Sequence, residues 1–583
     1  MGVLDFNRDD TLGTVESVDT STVVIRVDSD EKIKGLQVNH LLSIQSPRVG
    51  QQLIGMVSKI IRKSTDSDDV LDEFGTPHLS YNIIRAVLIG THYDKDGITE
   101  NVFKRTLSTV PSVNAECYLI SGQKLKDFMQ AITSVSSVEE AVSLDIGKYS
   151  IDEDAVAFLN GNKFFQRHAV IVGSTGSGKS WSVAKILEQV AQLKSANAIL
   201  FDIHGEYKPL DSDGFTHYKI AGPNDLVSED KLFLPYWLLT YEEMLSMMID
   251  RSDSNAPNQA MLFSTEVLNQ KREHLKICNH EDMENVITLD SPIPYNLQAL
   301  ITKLEALDIQ MVSGKRGEKQ GPYFGKLTRF IQRLRAKVED KRINFMFSKD
   351  SSLLDYDYMK KLCEKLMKPS ENSNGGVKII DFSEVPSDIL PLIASLVARV
   401  IFAVQQWSEC HSPIAIFCDE AHLYIPSSSE TSMDVQSVGS FERIAKEGRK
   451  YGVGLVVISQ RPSEVNRTVL SQCNNFVAMR LTNADDQAVI KRLLPDSLGD
   501  YSEMLPILDI GEAIVVGDAS ILPSRIKVDV PKLKPRSATV NFWDEWNKDT
   551  INNDIMNAVE ALRKQSKTNR KEHSCNSEIM PIG

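Results

Sequence analysis

Hydrophobic and polar residues alternate on a short scale over the first 145 residues. β-prone apolar runs are separated by polar, turn-forming clusters such as the one at residues 28–30. Short strands with turn residues between them are typical of small barrels, so this pattern predicts an N-terminal β-barrel at 1–145. A polar, acidic segment at 63–78 is predicted to be a loop within it. The runs predicted as strands are 22–27, 52–61, 82–89 and 117–120.

Beyond the barrel, the pattern changes to apolar strand-like runs that alternate with helical stretches. This alternation predicts an α/β fold with a largely parallel sheet covered by helices. We predict a core at 146–530, interrupted at about 209–376 by a polar, mostly helical insertion without a strong strand. The C-terminal extension 531–583 loses the alternation, and its polar end at 564–583 is predicted to be disordered. The runs predicted as core strands are 169–172, 198–203, 377–382, 414–418, 454–459, 476–481 and 513–516.

One glycine-rich segment carries the clearest chemistry. It follows the strand 169–172, precedes a predicted helix at 181–193, and matches the pattern G-x-x-x-x-G-K-[ST] of a phosphate-binding loop, or P-loop. Backbone N–H groups of such a loop surround a polyphosphate at the positive end of a helix, while Lys179 reaches the β- and γ-phosphates and Ser180 holds Mg²⁺. An ordinary Gly/Ser turn is the alternative, but such a turn does not require this strand and this helix. The predicted nucleotide-contacting residues are Gly173, Ser174, Thr175, Gly176, Ser177, Gly178, Lys179, Ser180 and Trp181.

Two further strands end in side chains that suit ATP hydrolysis. The strand 414–418 is followed by Asp419, predicted to hold the Mg²⁺ shell, and by Glu420, predicted to polarise the attacking water. The next strand ends at Gln460, whose amide either senses the γ-phosphate or caps a turn. Together with Lys179, these residues predict an ATPase with ATP and Mg²⁺ as its nucleotide and cofactor.

Two arginines are candidates for completing the site of a neighbouring subunit. Arg449 closes a predicted helix, and Arg167 stands just before the P-loop strand. Either side chain could reach a neighbour's γ-phosphate, and either could equally be an ordinary surface arginine. The tetrapeptide Asp-Glu-Ala-His at 419–422 suggests a DEAH-box helicase, but no Q-x-x-G-R-x-x-R segment follows it.

Charge is unevenly distributed along the chain. A net charge of −14 argues against a surface covered with nucleic-acid contacts, although it is compatible with a local basic channel. Residues 315–342 carry ten bases and three acids, a local net charge of +7, together with an apolar face. A basic amphipathic helix of this kind suits phosphate contacts, a solvated face or a subunit contact. The polar segment 426–439 is a second candidate for contacting DNA.

The cysteines and the apolar segments indicate in which cellular compartment the protein works. Seven scattered cysteines form no C-x-x-C pair, and the acidic N-terminus lacks the features of a signal peptide. The longest apolar stretch, 389–404, contains Pro391 and Arg399 and is shorter than the roughly 20 residues that span a bilayer. We therefore predict a reduced cytoplasmic protein with a buried helix at 389–404, no structural metal site and no membrane contact.

Taken together, these segments resemble the HerA family within the HerA/FtsK superfamily of hexameric DNA-translocating ATPases. The most specific segment is Asp202-Ile203-His204-Gly205-Glu206-Tyr207, which generic P-loop ATPases lack. The order and spacing of these segments fit the pattern of the family over about 165–530. The family also has an N-terminal β-barrel, the HAS-barrel, which is the type of domain predicted here at 1–145. The segments that carry the resemblance are 167–180, 201–207, 380–383, 419–422, 447–452 and 458–462.

The resemblance implies a RecA-like P-loop ATPase core that works as a ring homo-hexamer, with ATP between subunits and double-stranded DNA in the central channel. It makes Arg449 the arginine finger that acts in trans, Arg167 a second nucleotide-sensing arginine and Gln460 the γ-phosphate sensor. It leaves His204 and Glu206 near the site without assigned roles. It also implies an effector partner, either a nuclease or a sirtuin-type NADase, docked on the barrel in DNA processing or antiphage defence.

The sequence therefore predicts an ATP-dependent double-stranded DNA translocase or helicase. The alternative is an ATP-gated assembly scaffold that activates an effector enzyme and unwinds little DNA itself. A small-molecule kinase would need a pocket for the phosphoryl acceptor, which the sequence does not indicate.

Overall fold

The structure is a computed structural model of the full chain. The predicted loop at 63–78 and residues 565–583 of the predicted disordered end lie outside the part of the chain that it describes. The described residues are 4–62, 82–93, 103–107, 109–136, 143–222, 225–250, 252–314, 317–348, 350–409, 412–429, 432–494, 503–520, 522–536, 542–548 and 555–564.

The N-terminal residues form a closed antiparallel β-barrel, as predicted. Its strands follow one another in the order β2-β1-β7-β3-β4-β5, and the pairing of β2 with β5 closes the circle, while β6 extends from β5. Val23, Ile25 and Val27 point into the barrel, because alternate residues of a strand face the same side. The elements are β1 (Thr11–Asp19), β2 (Thr22–Val27), α1 (Asp30–Ile33), β3 (Leu41–Gln45), β4 (Gln51–Ile61), β5 (Asn82–Tyr93), β6 (Phe103–Lys104), β7 (Glu116–Ile120) and α2 (Gly122–Ser136).

The remaining strands, except for one separate hairpin, form a single twelve-stranded sheet. They are β8 (Ser143–Tyr149), β9 (Asp152–Asn160), β10 (Ala169–Val172), β11 (Ala198–Asp202), β12 (Phe215–Ile220), β13 (Lys231–Leu232), β14 (Met311–Gly314), β15 (Gly317–Gln320), β16 (Val377–Asp381), β17 (Ile414–Cys418), β18 (Val453–Ser459), β19 (Asn475–Met479), β20 (Glu512–Gly517) and β21 (Ser524–Val528). The order of the sheet is β13-β12-β16-β11-β17-β18-β10-β19-β20-β21-β8-β9, and β14 and β15 form the hairpin.

The sheet is parallel from β13 to β19 and antiparallel from β19 to β9. Every residue of β10, β11, β17 and β18 is buried, as expected for central parallel strands covered on both faces. All seven predicted core strands are present. The predicted α/β class is confirmed.

Helices cover the sheet and form the insertion. They are α3 (Gly161–Gln166), α4 (Lys179–Ala191), α5 (Tyr241–Met248), α6 (Ala256–Ile277), α7 (Leu297–Asp308), α8 (Thr328–Glu339), α9 (Tyr358–Met367), α10 (Leu390–Trp407), α11 (Ser432–Glu447), α12 (Arg467–Gln472), α13 (Ala484–Leu493), α14 (Phe542–Trp546) and α15 (Ile555–Lys564). Among the described residues, α10 is the one helix long and apolar enough to cross a membrane, and 72% of that window is buried inside the fold. It is the buried helix predicted at 389–404.

Three predicted boundaries need correction. The insertion predicted at 209–376 is too wide, because β12 and β13 in its first part extend the edge of the central sheet. The boundary between 145 and 146 falls inside β8, which already belongs to that sheet. The segment 426–439 is not one continuous loop, since α11 begins at Ser432.

Candidate active site

The P-loop leaves the carboxyl end of β10, which lies between β18 and β19 in the middle of the sheet. Its glycines are required by space and by backbone conformation. A Cβ at Gly173 would lie 2.4 Å from the Ser177 hydroxyl, and Gly176 and Gly178 have φ angles of +74° and +102°. Gly178 is the N-cap of α4 and provides no side chain, so the first N–H groups of α4 remain available for an anion. This loop can therefore cradle phosphates.

Four side chains from three strand ends meet in one hydrogen-bonded network, of which Lys179 and Glu420 are the buried members. Lys179 Nζ lies 2.6 Å from Glu420 Oε1 and donates a hydrogen bond to it, and both side chains are about 95% buried. Gln460 Nε2 donates to the same oxygen at 2.5 Å, and Thr175 Oγ1 donates to Gln460 Oε1 at 2.6 Å. Gln460 therefore connects the P-loop with Glu420 and does not cap a turn. The P-loop lysine is thus paired with the carboxylate predicted to activate water.

Ser180 and Asp419 suit the magnesium ion that accompanies nucleotides in this fold. Asp419 is 2% exposed, and its Oδ1 is buried without a hydrogen-bond partner among the described residues. Mg²⁺ prefers oxygen ligands, and a buried carboxylate oxygen without a partner is costly unless a cation satisfies it. The Ser180 hydroxyl donates to Glu206 Oε2 at 3.0 Å. The two residues predicted to hold the metal therefore fit it.

The carboxylates of the site differ in their protonation equilibria. Burial raises the pKa of Asp419, and the nearby charges of Glu420, Asp202 and Glu206 add to the effect, while Lys179 opposes it. Burial also acts to raise the pKa of Glu420, but the charge and hydrogen bond of Lys179 outweigh it and hold that pKa below its usual value. Glu420 is therefore ionised at neutral pH, as a group that polarises water must be.

His422 is a site residue that sequence reasoning weighed only as part of the Asp-Glu-Ala-His pattern. Its Nδ1 lies 3.4 Å from Glu420 Oε2 and 3.2 Å from the Ser459 hydroxyl. Burial lowers the pKa of His422, so the ring is neutral at pH 7. Glu420 itself has the left-handed backbone angles φ +45° and ψ +46°, which a glutamate rarely adopts. Both hydrogen bonds to the Glu420 carboxylate go to Oε1, and Oε2 is buried without a hydrogen-bond partner among the described residues.

Arg167 and Arg449 do not lie at the P-loop. Both precede a parallel strand, β10 and β18 respectively, and so lie at the amino edge of the sheet, whereas the P-loop lies at the carboxyl edge. The four residues of β10 alone separate these edges by about 13 Å, at about 3.3 Å per residue. Arg167 Nε is 3.8 Å from Asp518 Oδ2, and Arg449 is exposed. A role for either arginine in a neighbouring subunit stays a prediction.

His168 lies between these arginines and the sheet. Its Nε2 donates to the carbonyl of Ala445 at 3.1 Å, and its Nδ1 accepts from the backbone N–H of Leu455 at 2.9 Å. Burial lowers the pKa of His168 to about 4, and the nearby charge of Arg449 adds to this effect. The neutral ring therefore ties the end of α11 to β10 and β18.

A C-terminal segment that sequence reasoning missed crosses α4 and reaches the site. The backbone N–H of Lys532 donates to Glu188 at 3.1 Å, and that of Arg536 donates to the carbonyl of Glu206 at 2.7 Å. Lys534 Nζ lies 5.6 Å from the ring centre of Trp181. The extension therefore begins as part of the core, since Lys532 and Lys534 contact the P-loop helix and Arg536 contacts the turn after β11.

The basic helix predicted within 315–342 is α8, and it belongs to the insertion. Part of its charge is neutralised inside the chain, because Arg333 pairs with Asp250 at 2.9 Å and Arg335 Nε donates to Glu305 at 2.8 Å. Residues 315 and 316 lie outside the described part of the chain. Internal pairing makes α8 less available for phosphates than its composition indicates.

Comparison with known proteins agrees with this architecture. The family model "Helicase HerA, central domain" matches residues 144–401, and "Helicase HerA-like C-terminal" matches residues 365–560. A probable helicase of Methanocaldococcus jannaschii is 27% identical over 70% of this chain and 71% of its own length. The DNA double-strand break repair helicase HerA of Saccharolobus solfataricus is 28% identical over 67% of this chain and 69% of its own length.

Among solved structures, VirB4 of Thermoanaerobacter pseudethanolicus has a TM-score of 0.43 and 15% identity, covering 67% of this chain and 97% of that one. The two family models together span 144–560, which includes the P-loop, the Asp-Glu strand and Gln460. The protein is an enzyme, an ATPase of the helicase type. The chain belongs to the HerA family of helicases.

Proposed function

We propose that this chain is an ATP- and Mg²⁺-dependent motor that moves double-stranded DNA through a ring of six copies. One observation supports the shared site in particular: the P-loop and the two candidate arginines lie at opposite edges of the same sheet. An exposed arginine that cannot reach its own phosphates is positioned to serve those of a head-to-tail neighbour. Head-to-tail contacts form a ring when the rotation between neighbours closes, as the proposed hexamer requires.

The contacts of Lys179 and Gln460 support a role for each of them. Phosphates that enter the P-loop take Lys179 away from Glu420, which then becomes free to polarise water. Gln460 hydrogen-bonds to both Glu420 and Thr175, so it is placed to respond when the γ-phosphate is present. Ser180 and Asp419 hold the magnesium ion, which when bound neutralises charge on the phosphates. Arg449 of the neighbouring copy provides the remaining positive charge.

We further propose that the barrel docks an effector, a nuclease or a sirtuin-type NADase, in DNA processing or antiphage defence inside the cytoplasm. The barrel exposes several apolar side chains that a partner could cover: Val49 is fully exposed, Val113 is 61% exposed and Val110 is 48% exposed. Apolar residues of this kind suit a protein partner better than they suit DNA.

An ATP-gated scaffold with little unwinding of its own is the second candidate. The internal pairing of Arg333 and Arg335 favours it, because it leaves less free basic surface in a chain with a net charge of −14. In this case, ATP binding would assemble the effector and DNA would not be moved.

One assay separates the two functions. The ATPase rate is measured with and without duplex DNA, for the chain alone and together with the product of the neighbouring gene. Stimulation by DNA without the partner supports the motor, whereas stimulation that depends on the partner supports the gate. Absence of hydrolysis under all four conditions would contradict both.

A further inference from the structure

Glu206 lies beside the predicted metal residues but has no role in the proposed hydrolysis. It stands on the turn that follows β11, and β11 is the direct neighbour of β17, with Phe201 paired to Cys418. The turn after β11 therefore leaves the sheet beside Asp419. From this turn, Glu206 Oε2 accepts the hydrogen bond of the Ser180 hydroxyl at 3.0 Å.

Hydrogen bonds within the chain hold the turn that carries Glu206. The Asp202 carboxylate accepts from the backbone N–H groups of Glu206 and Tyr207, each at 3.0 Å. Gly205 supplies the positive φ of +72° that the turn requires. The carbonyl of Glu206 accepts from the backbone N–H of Arg536 at 2.7 Å. A side chain on so constrained a backbone is suited to positioning a partner.

A cation would offset the acidic side chains around Glu206. Asp202 and Glu206 stand at and just after the end of β11, which lies beside the end of β17 that carries Asp419, and Lys179 is already paired with Glu420. Glu206 forms no ion pair with another described residue. Independently of this acidic cluster, Asp419 is 98% buried and its Oδ1 has no partner among the described residues. A divalent cation at this point would offset both features.

We propose that Glu206 is a positioning residue of the magnesium site, acting through Ser180. A hydroxyl group has one hydrogen to donate and two lone pairs. When Ser180 donates its hydrogen to Glu206, its lone pairs remain for the cation, and the negative charge of Glu206 strengthens the site from outside the first ligand shell. This inference rests on the proposed ATP–Mg²⁺ site and adds to it a carboxylate from the Asp202–Tyr207 segment.

The test measures metal-dependent binding in the full-length chain. A non-hydrolysable ATP analogue is titrated by calorimetry with Mg²⁺ and with EDTA, for the wild type and for Glu206→Gln. We expect the analogue to bind equally well in EDTA and the tightening by Mg²⁺ to fall by about 10-fold or more, as for other partners of metal ligands. Glu206→Asp should lose less of the tightening by Mg²⁺ than Glu206→Gln does. His204→Ala, in the same turn and exposed, is the matched control and should behave as the wild type.

A double variant examines the route through Ser180. In a Ser180→Ala chain, the hydroxyl is absent, so adding Glu206→Gln should change the Mg²⁺ dependence little. An equal loss of affinity with and without Mg²⁺ would assign Glu206 to the turn alone, and an unchanged Mg²⁺ dependence would also overturn the inference. A wild-type chain whose analogue binding does not respond to Mg²⁺ would overturn the proposed ATP site as well.

Discussion

Replacing Glu420 by Gln is expected to stop ATP turnover and, at the same time, to tighten ATP binding. Lys179 lies 2.6 Å from Glu420 with both side chains almost fully buried, so phosphates that bind Lys179 must break this pair. A hydrogen bond to a charged group contributes about 1.5–3 kcal/mol and a neutral one about 1 kcal/mol. Weakening the hydrogen bond between Lys179 and residue 420 by about 1–1.5 kcal/mol should lower the Kd for ATP by roughly 5- to 10-fold.

Fluorescent ATP titrations in EDTA measure this affinity without hydrolysis, and single-turnover assays with Mg²⁺ measure the chemical step. The control is Glu464→Gln, an exposed acid in the turn after the neighbouring strand β18, where it pairs with Arg461 at 2.7 Å. It should change neither quantity. ATP binding by Glu420→Gln that is equal to or weaker than wild type would refute the competition between Glu420 and phosphate. Wild-type turnover by Glu420→Gln would refute its role in activating water.

Two further predictions concern the site shared between subunits and the stability that depends on His168. Arg449→Ala and Lys179→Ala chains should each be inactive alone but regain ATPase activity when mixed, because about a quarter of head-to-tail interfaces then join an intact P-loop to an intact arginine. A mixture as inactive as its parts would exclude action in trans, and Lys446→Ala is the active control. Because of His168, the free energy of unfolding should fall by about 2 kcal/mol when the pH is lowered from 7 to 5. The pKa of His168 is 6.5 in the unfolded state and about 4 in the folded state, so below pH 6.5 the unfolded state binds the proton and stability falls. Urea unfolding at both pH values should show a smaller loss for His168→Gln, and an equal loss would contradict the assigned pKa.

The parts of the site that consist of contiguous residues could be predicted from the sequence. Buried parallel strands are continuous apolar runs, so Ala169–Val172 and Ile414–Cys418 were predicted with their observed bounds. The residues after such strands share the carboxyl edge of the sheet, which is why Lys179, Glu420 and Gln460 meet as expected. This part of the prediction depended on the strands being parallel.

What was missed depends on the order of strands in space. β12 contains the polar residues His217 and Lys219 because it lies near the edge of the sheet, and a polar strand resembles a loop in the sequence. The contact between Ser180 and Glu206 exists because β11 lies next to β17, and this neighbourhood cannot be read along the chain. The path of 529–536 across α4 is likewise fixed only by tertiary contacts.

Two strands of the sheet carry candidate functional side chains at both ends. β10 begins after Arg167 and His168 and ends in the P-loop, and β18 begins after Arg449 and ends at Gln460. His168 hydrogen-bonds to the chain on both sides of Arg449, at Ala445 and at Leu455, so the amino ends of the two strands are held together. Close-packed strands transmit displacement with little deformation. In the proposed ring, the nucleotide of a neighbouring copy would contact the amino ends of β10 and β18. The carboxyl ends of the same two strands would hold the chain's own nucleotide. Successive sites would then be coupled through β10 and β18 without a separate signalling element.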